Sequence, residues 1–303
     1  RFIMNTPLNR RNAILSGVAA ASATLVHESA AQSDQGSEWW GWRGPNANNH
    51  AAPGSMLPRS LSSDSVAWSI NIPGRGHSTP ILVGDSLYMT TADTAAGTQS
   101  VLAVSTLGKA RWGTKVHQGG IPAENHPKNT EASPTLAYDG ESLFASFYTA
   151  NAIRLTKLTT DGQIVWQREI GQYSPNQYKY GYAASPMVYR DSVIVIGDYD
   201  GNAFLAAVDR QSGRAKWKVR RPGKLSFSTP IVTNLFGRDQ MLLSGAEMVA
   251  AYDPESGEIL WKSEGATTMA TCGTMVWDGE LVFASGGYPK PETVCIAADG
   301  SGR

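Results

Sequence analysis

Most of the side chains suited to chemistry lie in one polar run, Gly119-Gly-Ile-Pro-Ala-Glu-Asn-His-Pro-Lys-Asn-Thr-Glu-Ala-Ser133. Glu124, Asn125, His126, Lys128, Asn129 and Glu131 bring carboxylates, amides, an imidazole and an ammonium into one short stretch. Such groups could supply ligand oxygens, a base or a clamp on a substrate. Solvation alone also accounts for a polar loop. A second candidate is Tyr173-Ser-Pro-Asn-Gln-Tyr-Lys-Tyr-Gly-Tyr182, where Tyr180 and Tyr182 could stack on a flat ring or sugar, or simply pack. His77, in Arg75-Gly-His-Ser-Thr-Pro80, stands as far ahead of its Thr-Pro step as Glu131 stands ahead of Ser133-Pro134. That spacing predicts a funnel of Arg75, His77, Glu131 and Tyr182, although a lone histidine is more often structural.

Other chemistries lack their signatures. No glycine-rich phosphate loop leads from a strand into a helix, no His or Cys cluster has metal-ligand spacing, and no Gly-x-Ser-x-Gly elbow occurs. Cys272 and Cys295 are the two cysteines. Their expected places on the first and third strands of one sheet put their Cα atoms about 10 Å apart, beyond the reach of a disulfide. Two buried, unpaired thiols are therefore expected.

These groups must be held by short strands, because the sequence repeats. Ala103-Val-Ser-Thr-Leu-Gly-Lys-Ala-Arg-Trp112, Leu158-Thr-Thr-Asp-Gly-Gln-Ile-Val-Trp166, Ala207-Val-Asp-Arg-Gln-Ser-Gly-Arg-Ala-Lys-Trp217 and Ala251-Tyr-Asp-Pro-Glu-Ser-Gly-Glu-Ile-Leu-Trp261 superimpose. Each reads strand, glycine turn, strand, tryptophan. With Trp68, the series Trp112, Trp166, Trp217 and Trp261 recurs at 44 to 54 residues, about the length of a four-stranded propeller blade. The tryptophans are expected on outer strands, anchoring each blade against its neighbour. Ser/Thr-Pro steps at Thr79-Pro80, Ser133-Pro134, Ser185-Pro186 and Thr229-Pro230 mark first strands, where proline is tolerated.

The expectation is an all-β propeller of four-stranded antiparallel blades over residues 65–303: four complete blades, a partial fifth, and an orphan outer strand at Trp68. Thirty-one glycines, 16 prolines and 9 tryptophans suit such a fold. Equal numbers of basic and acidic residues, 26 each, speak against nucleic acid as a partner. Arg10-Arg11, a weakly apolar run from Ala13 to Val26 and Ser29-Ala-Ala31 read as an export signal over residues 1–31, resembling a twin-arginine signal. The mature chain is then periplasmic or extracellular, without an integral membrane segment. Residues 32–64 form an N-terminal extension containing Trp39-Trp-Gly-Trp-Arg-Gly-Pro-Asn46.

The Ser/Thr-Pro starts, the Ala-x-Asp-x-x-Ser-Gly-x-x-x-Trp endings and this tryptophan-rich motif resemble secreted bacterial proteins with pyrroloquinoline-quinone-like propeller repeats. The resemblance implies the fold of quinoprotein alcohol dehydrogenases and of the lipoprotein that assists outer-membrane protein assembly, with seven or eight blades in the whole protein. A quinoprotein would need calcium beside the quinone, a carboxylate base and, in many members, a disulfide of adjacent cysteines, which is missing. Two readings remain. The first is a non-catalytic module without a cofactor or metal, binding a protein, peptide or carbohydrate on the loop face around the central channel. The alternative is a dehydrogenase of alcohols or sugars dependent on pyrroloquinoline quinone and calcium. Membrane-assembly scaffolding would call for a lipid-bearing cysteine near Ala31, and none is there.

Overall fold

The computed structural model describes residues 38–55, 60–267, 271–286 and 288–301. The expected export signal lies outside them. The described residues form five antiparallel sheets, four of four strands and one of three. The first comprises β1 (Ile81–Val83), β2 (Ser86–Asp93), β3 (Thr98–Ser105) and β4 (Ala110–Gln118). The second holds β5 (Ala137–Tyr138), β6 (Ser142–Thr149), β7 (Ala152–Thr159) and β8 (Ile164–Gln172). Then follow β9 (Met187–Tyr189), β10 (Ser192–Gly197), β11 (Phe204–Asp209) and β12 (Ala215–Arg220), and β13 (Ile231–Leu235), β14 (Arg238–Gly245), β15 (Met248–Tyr252) and β16 (Ile259–Glu264). The last sheet contains β17 (Val276–Asp278), β18 (Leu281–Gly286) and β19 (Glu292–Ala297). Strands pair in chain order within every sheet, the meander of a propeller blade. Among the described residues no helix is long and apolar enough to cross a membrane.

Burial explains the sequence of each strand. The middle strands lie between neighbouring blades and are largely buried; β10, Ser192-Val-Ile-Val-Ile-Gly197, is buried along its whole length. Outer strands alternate, as in β12, where Trp217 and Val219 are the half-buried positions. In each complete blade the register between third and fourth strands shifts beside the tryptophan. Trp112 faces Ala103 and Ala110 faces Val104, leaving Arg111 as the extra residue. The same bulge precedes Trp166, Trp217 and Trp261. A bulge adds local twist and re-aims the adjacent side chain.

The indoles then cross to the next blade. A Cβ on Gly108, Gly162, Gly213 or Gly257 would stand 2.7, 2.8, 3.0 and 2.6 Å from the ring of Trp68, Trp112, Trp166 and Trp217 respectively. Each glycine has positive φ and sits in the turn before the fourth strand of the following blade. Trp68, Trp112 and Trp166 also donate Nε1–H to the carbonyls of Thr106, Thr160 and Gln211, two residues ahead of those glycines, at 2.8, 3.0 and 3.0 Å. Trp261 instead donates to Gln240 Oε1 at 2.7 Å. Trp68 lies outside any strand among the described residues, yet it docks as the strand-borne tryptophans do.

A second chain of contacts runs around the channel. The Thr79 N–H donates to Thr135 Oγ1, the Thr135 N–H to Ser185 Oγ and the Ser185 N–H to Thr229 Oγ1, each at 3.0 Å. Thr79, Ser185 and Thr229 belong to Ser/Thr-Pro steps, but Thr135 follows Pro134. The Ser133-Pro134 step is therefore two residues out of register with the others, and the expected equivalence of His77 and Glu131 is corrected. What is matched around the axis is an N–H to hydroxyl contact, and proline does not report it. Each member of the series lies two residues before its first strand, the position that Thr274 holds before β17.

Candidate functional site at the channel mouth

Two residues ahead of that series stand His77, Ser133, Ala183, Phe227 and Cys272, one from each blade. All five line a cavity of about 480 Å³ at the beginning of the first strands. The long loop and its neighbour complete the wall with His126, Lys128, Asn129 and Tyr180, and Trp42 and Thr229 also line the cavity. Among the described residues its lining combines aromatic surface with one lysine and two imidazoles, and contains no carboxylate.

The loop side chains hold one another. Asn129 Nδ2 donates to the Tyr180 carbonyl at 2.6 Å and to Asn125 Oδ1 at 3.3 Å, and its Oδ1 accepts from Ser133 Oγ. The His126 ring meets Tyr180 edge-on, centroids 5.1 Å apart, while its Nδ1 accepts the Lys128 N–H at 3.1 Å. Tyr180 in turn lies 6.3 Å from Phe227, ring to ring. The tyrosine and the loop thus form one rim, with His126 held between them.

Five of the expected side chains meet here: His77, His126, Lys128, Asn129 and Tyr180. Arg75 and Glu131 face a neighbouring cavity of about 820 Å³, which His126 and Asn129 share with the mouth. The Glu131 carboxylate accepts from Asn125 Nδ2 at 3.0 Å, and Ser133 occupies the axial position predicted for it. Glu124 is paired with Lys179 at 3.0 Å. Tyr182 does not face the channel: it is 5% exposed and donates its hydroxyl to the Ile196 carbonyl at 2.9 Å. Burial raises its pKa well above the ordinary phenol value. Ala183, the next residue, lines the mouth in its place.

Trp42, Phe227 and Cys272 were not predicted for the site. The register of the hydroxyl series would have found the last two; nothing local signals Trp42. The cysteines are free, but both are exposed, against the expectation of burial. Cys272 precedes β17 rather than lying on it, and Cys295 points away from the side of β19 that buries Ile296.

Trp42 arrives on a segment from outside the repeats. Trp39 pairs with Leu82 of β1, its N–H donating at 2.8 Å and its carbonyl accepting at 3.0 Å, and the Trp40 carbonyl accepts from the Tyr138 N–H of β5 at 2.9 Å. Trp42 Nε1 donates to Thr274 Oγ1 at 2.7 Å and Arg43 Nη1 to the Met275 carbonyl at 3.0 Å, just ahead of β17. The Trp-Trp-Gly-Trp-Arg motif is thus a strap across the channel from the first two blades to the fifth.

Blades, an axial strap and a cavity at the strand starts define a β-propeller with a ligand-sized opening on its loop face. Residues 97–303, more than half of the chain, match the model of the family described as "Outer membrane protein assembly factor BamB", and the chain belongs to this family of pyrroloquinoline-quinone-like repeats. Comparison with curated proteins found no match. Among solved structures, a europium-containing methanol dehydrogenase is similar at 14% identity over 65% of this chain and 43% of its own, with a TM-score of 0.49. A quinohemoprotein alcohol dehydrogenase from Pseudomonas putida HK5 is similar at 13% identity over 76% of this chain and 40% of its own, with a TM-score of 0.44. The chain spans less than half the length of either dehydrogenase.

Calcium chemistry asks for clustered oxygen ligands. Among the described residues no group of three or more His, Cys, Asp or Glu side chains could hold a metal ion, and the mouth lining offers no carboxylate. These residues do not fit a calcium-quinone centre.

Proposed function

We propose that this is an exported binding module that captures its ligand, without chemical conversion, in the mouth of the propeller channel. One observation carries the reading: the cavity presents aromatic and cationic side chains without a carboxylate base or metal ligand set. Concave, largely apolar sites with a few convergent polar groups are the usual form of ligand pockets. The pattern of Arg10, Arg11 and the alanine-rich run to Ala31 supports export. His77, His126, Lys128, Asn129 and Tyr180 are the contact residues, and a segment of peptide or carbohydrate suits the volume.

The test uses the full-length protein loaded with pyrroloquinoline quinone and calcium, followed by dye reduction with alcohols and sugars. No turnover is expected, while peptide and glycan arrays should yield binders that His77→Ala and Lys128→Ala weaken. Stoichiometric quinone binding with turnover would overturn the reading in favour of a dehydrogenase.

A further inference from the structure

The channel contains a second cavity, about 700 Å³, at the opposite ends of the first strands. Its wall includes Tyr189 and Arg190 at the end of β9, Asn234 in β13, and Trp277 in β17. Among the described residues only two, Trp42 and Thr229, line both this cavity and the mouth. Thr229 is 6% exposed and fixed by the hydrogen bond from Ser185. The indole of Trp42 is therefore the large side chain standing between the two.

The two compartments differ in charge. At the mouth Lys128 faces no carboxylate in the lining. In the far compartment each arginine has a partner: Arg210 meets Asp139 at 3.2 Å, and Arg190 meets Asp239 at 3.2 Å. An anionic group gains an unopposed cation only on the mouth side of Trp42. A flat ring entering there meets Tyr180 and Phe227 on the wall and the indole below.

We propose that Trp42 partitions the axial channel, forming the floor of the mouth compartment and restricting it to a compact ligand segment that carries a flat ring and an anionic group. This rests on the mouth-binding reading above and adds the ligand class and the residue that sets its length. The partition is held by its surroundings rather than by bulk alone. The strap backbone is tied at Leu82 and Tyr138, whereas the indole is tied by the single bond to Thr274 Oγ1. The side chain can therefore be altered while the strap stays attached.

The experiment titrates the full-length protein with two fluorescent probes, 8-anilinonaphthalene-1-sulfonate and its longer covalent dimer, and reads the ratio of their dissociation constants. In the unaltered protein the compact probe should bind at one site, and Lys128→Ala should weaken it about tenfold, the loss of one ion contact. Trp42→Ala should join the compartments and shift the ratio about tenfold or more toward the longer probe. Should that variant fail to fold, Trp42→Leu, which keeps an apolar side chain on the strap, should move the ratio the same way. Compact-probe binding that depends on Lys128 with an unchanged ratio in the Trp42 variants overturns the partition alone. Compact-probe binding insensitive to both His77→Ala and Lys128→Ala, or no binding, overturns the mouth-binding reading and the partition with it.

Discussion

The indole of Trp166 lies on Gly213 of the following blade, its Cδ2 3.0 Å from where a Cβ would stand, with Nε1–H donated to the Gln211 carbonyl. The ring is 7% exposed, so neither apolar surface nor donor is left to water. Trp166→Ala should lower unfolding free energy by about 3 to 5 kcal/mol in urea titration. Trp217 is half-buried, and its Nε1 is buried without an acceptor. Trp217→Ala should cost less, roughly 2 to 3 kcal/mol. Equal losses would show that burial and the Nε1–H bond do not set the strength of these contacts.

Gly213 sits at φ +69. Gly213→Ala combines a left-handed backbone with a clash against the indole, and should destabilise by roughly 1 to 3 kcal/mol. Gly237→Ala, at φ +74 with nothing within 4 Å, carries only the backbone part and should cost clearly less. Paired melting curves measure the difference.

Arg221 grips Asp198 with two bonds, Nε to Oδ1 at 2.7 Å and Nη2 to Oδ2 at 2.8 Å, and also donates to the Tyr252 hydroxyl. Both charged side chains are 1% exposed. Asp198→Ala strands a buried guanidinium and should cost about 3 to 5 kcal/mol, whereas the double variant Asp198→Ala with Arg221→Met should recover much of it. A double variant as unstable as the single one would refute the account.

His117 of β4 stands edge-on to Phe147, ring centroids 5.6 Å apart, with its Nε2 buried and unpartnered. Burial, then the charge of Arg154, lowers its pKa from 6.5 to about 4. The unfolded chain thus takes up a proton near pH 6.5 that the folded chain refuses until about pH 4. Stability contributed by neutral His117 is present above pH 6.5 and is lost as the pH falls toward 4. With partial solvent screening the loss should be roughly 1 to 2 kcal/mol. His117→Phe should flatten that segment of the stability-pH curve, and an unchanged slope would exclude the histidine as its source.

Tyr182 and Lys128 separate structure from binding. Tyr182→Phe removes the hydroxyl bonded to Ile196 and should cost about 1 to 2 kcal/mol while leaving ligand affinity intact. Lys128→Ala should do the reverse, changing stability by less than about 1 kcal/mol. Array binding and thermal unfolding on the same preparations distinguish them.

The sequence by itself determined the blade. Gly162 and Trp112 recur in step with their counterparts because a turn of positive φ and an outer-strand ring are local requirements, met once in every repeat. That His77, His126, Lys128, Asn129 and Tyr180 gather at one mouth was legible because the segments that carry them lead into first strands. Tertiary structure alone decided the rest. Proline marks where a strand can start, but the series of N–H to hydroxyl bonds through Thr79, Thr135 and Ser185 sets the register, and so Ser133 rather than Glu131 faces the axis. Trp42 reaches Thr274 across 232 residues of chain. No local pattern encodes that contact, because it exists only once the blades have brought their first strands around a common channel.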